Sequence, residues 1–243
     1  MSAIDDAARL VSDASRTVVF TGAGMSAESG IPTFRDALTG MWAEHDPMTL
    51  ASPEGWRSDR DLVWSWYADR ARQVRLVEPN DGHLALARLA VAARIDGRAV
   101  SVVTQNVDDL HERAGSAVAS HLHGSLFAPR CESCRRPEHA DVAVADPRPA
   151  CPLCGASMRP GVVWFGELLP RDDWSEASRL VEECDLLIVV GTSGVVQPAA
   201  SLPERARSNG TPIIEVNPEP SALTPLATVH LEGTAAEVLP RLV

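Results

Sequence analysis

Six short apolar runs punctuate the chain: 17–20 (TVVF), 99–104 (AVSVVT), 119–122 (ASHL), 186–190 (LLIVV), 212–216 (PIIEV) and 228–231 (TVHL). Several are nearly continuous in hydrophobicity, as strands buried on both faces are. Between them, residues 83–94, 173–183 and 199–208 space their apolar side chains as helices do, and so do Ile4, Ala8 and Val11 near the start. Strand and helix alternate, which predicts an α/β fold: a doubly wound parallel sheet with helices on both faces.

Two segments break the alternation. Residues 39–76 are rich in tryptophan and predict one long helix after Ser52-Pro53, an N-cap and first-turn pair. Residues 128–158 are rich in Cys, Pro and Arg and poor in apolar residues. Both read as insertions that form a smaller domain. A discontinuous Rossmann-like domain (1–38, 77–127 and 159–243) would then carry a helical module (39–76) and a cysteine module (128–158).

The predicted strands feed distinctive loops: Thr21-Gly22-Ala23-Gly24, Gln105-Asn106-Val107-Asp108, His123-Gly124-Ser125, Gly191-Thr192-Ser193 and Asn217. In an open parallel sheet, ligands sit at the carboxyl ends of the strands, so these five loops converge on one crevice. Any one of them alone is an ordinary turn. Gly22, Gly24 and Ala27 fit the dinucleotide fingerprint G-x-G-x-x-A, but Gly30 and Pro32 cut the helix that should follow, and no acidic strand end comes about 20 residues later.

Cys131, Cys134, Cys151 and Cys154 form two C-x2-C knuckles, the spacing of a zinc ribbon with a closed, structural site of four thiolates. Disulfides are the alternative. Cys184, just before a strand, reads as a small buried residue. His121 and His123 lie two apart at a strand end; His123, beside Gly124 where backbone can approach a ligand, is the better general-base candidate. Asp108 either caps the following helix or faces the crevice, where it could accept a hydrogen bond from a carboxamide.

Composition narrows the function. All 22 basic residues are arginine. Without lysine there is no Walker A loop, Schiff-base enzyme or protein kinase. A net charge of −11 argues against a nucleic-acid surface and favours positively charged peptide partners. The acidic start and the absence of any long apolar run lead us to expect a cytoplasmic protein with no membrane partner, and a monomer.

Taken together, GAGMSAESGIPTFR, TQNVDDLHERAG, HLHG, the four cysteines, PGVVWFGE, GTS and EVNPE resemble, in this order, the sirtuin family of NAD-dependent protein-lysine deacylases. The resemblance implies that NAD is consumed at its nicotinamide glycosidic bond, with no hydride transfer. Ala23, Ile31, Phe34, Asn106, Val107 and Asp108 match the nicotinamide pocket. Gly22, Gly24, Ala27, Arg35, Gln105, Gly191, Thr192, Ser193, Asn217, Pro218, Glu219 and Ala235 match other cofactor positions, and Val163, Trp164 and Phe165 match the cleft for acyl-lysine. His123 would activate the ribose hydroxyl, giving deacylated lysine and O-acyl-ADP-ribose.

Tyr67 and Arg70, three apart on the predicted helix and preceded by Ala51, resemble the branch that removes succinyl and malonyl groups. A phenol and a guanidinium would replace the water stripped from a distal carboxylate, with some deacetylase activity retained. Otherwise Tyr67 packs at the core edge and Arg70 is solvated. The competing readings are a mainly deacetylating enzyme, an ADP-ribosyltransferase on the same scaffold, a noncatalytic NAD-sensing or zinc module, and a dehydrogenase.

Overall fold

In the computed structural model, which describes residues 2–32 and 47–243, the six apolar runs become six parallel strands. They are β1 (Arg16–Thr21), β2 (Ala99–Thr104), β3 (Val118–His121) and, after a two-stranded antiparallel ribbon of β4 (Arg130–Cys131) and β5 (Met158–Arg159), β6 (Leu186–Val190), β7 (Ile213–Asn217) and β8 (Val229–Glu232). Their order across the sheet is β3-β2-β1-β6-β7-β8, so it reverses between β1 and β6. That reversal opens a crevice at the carboxyl ends of the strands.

Strand alternation sends successive side chains to opposite faces. Val19, Leu186, Ile188 and Val190 pack on one face against Ala7 and Val11 of α1 (Ala3–Asp13). Val18, Phe20, Leu187 and Val189 pack on the other, beneath two helices introduced below. Each large apolar side chain buried in this way contributes roughly 1.5–3 kcal/mol.

Among the described residues, four short to medium helices lie between β1 and β2. They are α2 (Pro47–Leu50), α3 (Pro53–Ser58), α4 (Arg60–Leu76) and α5 (Asp81–Ile95). Ser52 caps α3 as expected, accepting from the Gly55 N–H at 3.0 Å. The single long helix expected after Ser52-Pro53 is, however, two helices. Asp59 takes an extended conformation (φ −149°) and its carboxylate accepts from the Leu62 N–H, so it ends α3 and caps α4.

The remaining helices are α6 (Leu110–Arg113), α7 (Arg171–Glu183), α8 (Ser201–Ser208) and α9 (Ala235–Val238). α7 and α8 cover the second face of the sheet with Ala177, Val181, Leu202 and Ala206. A third buried cluster joins α3 and α4 to the cysteine ribbon: Trp56, Val63, Trp64, Tyr67 and Ala71 meet Cys131, Cys151, Met158 and Trp164. Among the described residues no helix is long and apolar enough to cross a membrane.

Candidate active site

All five expected loops leave the same edge of the sheet, because every strand is parallel. The turns after β1 and β6 are fused at the switch point. The Gly22 and Gly24 N–H groups donate to Val190 O and Gly191 O at 2.9 and 2.8 Å. A Cβ on Gly24 would lie 2.7 Å from Gly191 Cα, so only glycine permits this approach. Beyond Gly24 the chain makes two 3-10 turns, Ala23–Met25 and Ala27–Ser29, closed by Gly30 at φ 90°. Ala27 is therefore exposed instead of packed on the sheet; Met25 and Ser26 take the buried positions.

Below this turn lies a buried polar cluster. Ser26 Oγ donates to Asp108 Oδ2 at 3.0 Å and accepts from Asn106 Nδ2 at 3.1 Å. The other Asp108 oxygen accepts from the Leu110 N–H, so Asp108 both caps the helical turn and faces the cluster. Burial is the main force on Asp108 and holds its carboxyl above the usual range. The Asn106 N–H donates to Thr104 Oγ1, which also accepts from Thr21 Oγ1. Gln105 Nε2 donates to Thr192 Oγ1 at 3.0 Å, tying the β2 loop to the β6 loop. Ser26 and the two threonines are missed by motif reading, although Ser26 sits inside GAGMS.

The two histidines divide as strand alternation predicts. Burial disfavours the His121 cation, but a 2.6 Å contact between Nε2 and Glu112 outweighs it and raises the pKa. That pairing leaves His121 unsuited to accept a proton. His123 is half-buried, and burial holds it below the ordinary imidazole value, opposed only by the Gln105 backbone. A neutral imidazole at pH 7 follows, which is the form a general base needs. Gly124 (φ 73°) is required for a different reason than expected: a Cβ there would lie 2.2 Å from Gly161 O, so chain and not ligand fills that space.

The loop after β5 links the sheet to the tryptophan-rich module. Val163 N–H donates to His123 O, and Phe165 N–H donates to Ala51 O. The buried Arg159 guanidinium stacks 3.7 Å over Trp164 and pairs bidentately with Glu167, whose carboxylate also accepts from the Trp164 N–H. Trp164 Nε1 in turn donates to Tyr67 Oη at 3.1 Å. Burial pushes the Tyr67 phenol up to about 12, so it stays protonated.

Arg70 stacks 4.9 Å over Trp66 and lines a hollow with Gly30, Ile31 and Pro32. Burial destabilises its charge, and Tyr67 and Asp108 counter that. Among the described residues, the ion-paired arginines of α4 are Arg60, Arg72 and Arg75, and not Arg70.

Elsewhere on the rim, Val107 is half-buried, Pro218 and Glu219 are exposed, and Ser193 O accepts from the Ala222 N–H. Ala235 is buried at the start of α9. Phe34 and Arg35 lie outside the described residues. Close packing of the Gly22–Gly24 and Gly191 turns, with Asn106, Asp108, Ser193 and Asn217 around them, fits a dinucleotide laid across the switch point.

The four Sγ atoms of Cys131, Cys134, Cys151 and Cys154 lie within 4.8 Å of one another. Separations of 3.5 and 3.7 Å between pairs are far above a disulfide length and match two thiolates about 2.3 Å from a tetrahedral zinc. The cluster fits one structural zinc ion. Cys184 is buried, its thiol is pushed up to about 11 by burial, and its Sγ donates to Val181 O, so it is inert packing.

Comparison with known proteins agrees with this geometry. The family model described as the Sir2 family matches residues 22–198. An NAD-dependent protein deacylase of Methylococcus capsulatus is 49% identical over 238 residues, spanning 95% of this chain and 92% of the relative. A Sir2 homologue solved as an NAD complex superposes with a TM-score of 0.91 at 47% identity, covering 98% of this chain and 91% of the other. A mutant Sir2 homologue bound to 2'-O-acetyl ADP-ribose gives 0.90 at 46% identity, covering 100% and 95%.

Proposed function

Because this chain belongs to the Sir2 family and is an NAD-dependent protein deacylase, we propose that it acts chiefly on lysines carrying short acidic acyl groups, succinyl and malonyl, and retains some deacetylase activity. The observation that carries this reading is Arg70: a half-buried guanidinium with no ion-paired carboxylate among the described residues, three residues from a protonated phenol. Tyr67 accepts from Trp164, so its own proton remains to be donated. A distal carboxylate would find a cation and a donor in place of the water it loses. Ala51, whose carbonyl accepts from the Phe165 N–H, packs against the same buried cluster as Tyr67, and its small side chain suits a bulkier acyl group.

In the proposed assignment, NAD supplies the electrophilic sugar carbon, so that nicotinamide leaves and the acyl group ends on ADP-ribose. Ala23, Ile31, Phe34, Asn106, Val107 and Asp108 hold the nicotinamide end, with Ser26 fixing the Asn106 and Asp108 side chains. Gly22, Gly24, Gln105, Gly191, Thr192, Ser193, Asn217 and Ala235 bind the remainder, and Val163, Trp164 and Phe165 flank the substrate lysine. His123, neutral and half-buried, takes the proton of a ribose hydroxyl. The negative net charge suits basic peptide segments, and we take the protein to be a cytoplasmic monomer without nucleic-acid or membrane partners. We also assign 39–76 and 128–158 to one small domain, which the shared buried cluster supports.

The test uses one peptide in succinyl, malonyl and acetyl forms, with NAD and mass spectrometry. The enzyme contains no lysine, so every acyl-lysine signal comes from the peptide. Tyr67→Phe and Arg70→Met are expected to lower succinyl kcat/KM roughly ten- to a hundredfold, mainly through KM, and acetyl turnover far less. Equal loss on both substrates, or a wild type inert toward succinyl-lysine, refutes the acyl preference.

A further inference from the structure

Strand β7 reads Ile213-Ile214-Glu215-Val216-Asn217, and its single carboxylate is fully buried. Burying a charge requires donors around it. Three are present. His230 Nδ1, on the neighbouring strand β8 and in register, donates to Oε2 at 3.0 Å. Asn217 Nδ2 donates to Oε1 at 3.2 Å, and Ser221 Oγ donates to the same oxygen. Ser221 Oγ also accepts from the Leu223 N–H, while the Ala222 N–H donates to Ser193 O. One carboxylate thus joins the β6 loop, the β7 loop and β8 on the side of the switch point away from the Ser26–Asn106–Asp108 cluster.

Donor and acceptor accounting shows what this does. An asparagine amide offers two N–H groups and one carbonyl oxygen. Asn217 Nδ2 already donates to Thr192 O at 2.9 Å and to Glu215. The reversed amide would set its oxygen against two acceptors. Only the Asn217 oxygen is left for a ligand, and an amide oxygen can serve only as an acceptor, as for a hydroxyl. We propose that Glu215 is a positioning residue for the cofactor: it locks the Asn217 amide so that an acceptor faces a ribose hydroxyl at the adenosine end. The proposal rests on Asn217 lining the cofactor site and is independent of the acyl preference.

Isosteric variants test it by calorimetric binding of ADP-ribose, with thermal melting to show that each is folded. Asn217→Asp places a carboxylate against Thr192 O and Glu215, and Kd is expected to rise more than about tenfold. Glu215→Gln alone keeps an oxygen for Asn217 and is expected to weaken binding by no more than about threefold. In the double variant, the amide introduced on β7 can turn its N–H groups to the new carboxylate two residues on and its oxygen to His230, which relieves one of the two acceptor clashes, so affinity should recover by about threefold or more over Asn217→Asp while Thr192 O keeps it below wild type. A double variant as weak as Asn217→Asp, or a harmless Asn217→Asp, overturns the proposal. Asn217→Ala tests the premise separately: unchanged ADP-ribose binding would remove Asn217 from the cofactor site altogether.

Discussion

The six-stranded sheet and the module built from α3, α4 and the cysteine ribbon both enclose buried apolar side chains, but they hold together differently. In the sheet, β6 and β7 are buried along their whole length and strand pairing satisfies the backbone. The ribbon has two strands of two residues each, and its buried cluster relies on Cys131 and Cys151 together with Trp56, Trp64 and Trp164. Two-residue strands cannot stabilise themselves. The sheet needs only its own sequence, whereas the ribbon needs a metal.

Removing the metal should therefore break the second region alone. Cys131→Ala or Cys151→Ala, or exhaustive chelation, is expected to abolish activity and leave the module unfolded, since binding energy at such a site is folding energy. One zinc per chain should be found by elemental analysis. Full activity and unchanged melting in metal-free protein would contradict the comparison.

His123 lies on the seam, its carbonyl accepting from Val163 and its neighbour Gly124 packed on Gly161. Replacing it probes the chemistry without touching either core. His123→Ala is expected to lower kcat by about 10²–10⁴-fold while ADP-ribose affinity persists. In the wild type, activity should fall as acid protonates this base, with the limb displaced below the usual histidine range because burial lowers its pKa. Wild-type turnover in the variant would refute the base assignment. His121 would not replace it, being paired with Glu112.

Much of this arrangement is visible in the sequence because short, nearly continuous apolar runs and fixed cysteine spacing are local signals. The six strands fall within a residue or two of their predicted bounds, and the ribbon cysteines meet as their spacing implies. What escapes is long-range or depends on competition. Ala27 fits the fingerprint, and although the helix break at Gly30 is legible, the 3-10 turn that leaves Ala27 exposed is not. Asp59 splits the long helix because its carboxylate caps the next one. Ser26 and Asp108 are 82 residues apart, and Arg159 and Trp164 form their stack through a loop, so no spacing rule announces either. Glu215 stands in an apolar run, and nothing in that run announces His230 on the neighbouring strand or Ser221 in the following loop as its partners.

The smallest expected effect lies inside the sheet region. His83 on α5 and His111 on α6 are buried, with ring centroids 4.9 Å apart in an edge-on contact. His111 Nε2 lies 3.0 Å from Thr21 Oγ1, and neither ring nitrogen of His83 has a partner among the described residues. Burial depresses their pKa values to about 4 and about 3. The unfolded chain therefore binds more protons than the folded one between the unperturbed value, about 6.5, and these depressed values. Stability is fully present above pH 6.5 and is lost as pH falls toward 4 and 3, by about 1.4 kcal/mol per pH unit for each histidine. His83→Leu should remove one contribution, so urea unfolding at pH 7 and pH 5 should show a shallower decline than in the wild type. The difference between the two proteins is the readout, because acid also protonates the zinc thiolates in both. Identical declines would mean that His83 does not titrate as a buried neutral group, and the sheet region would then owe its acid sensitivity to other residues.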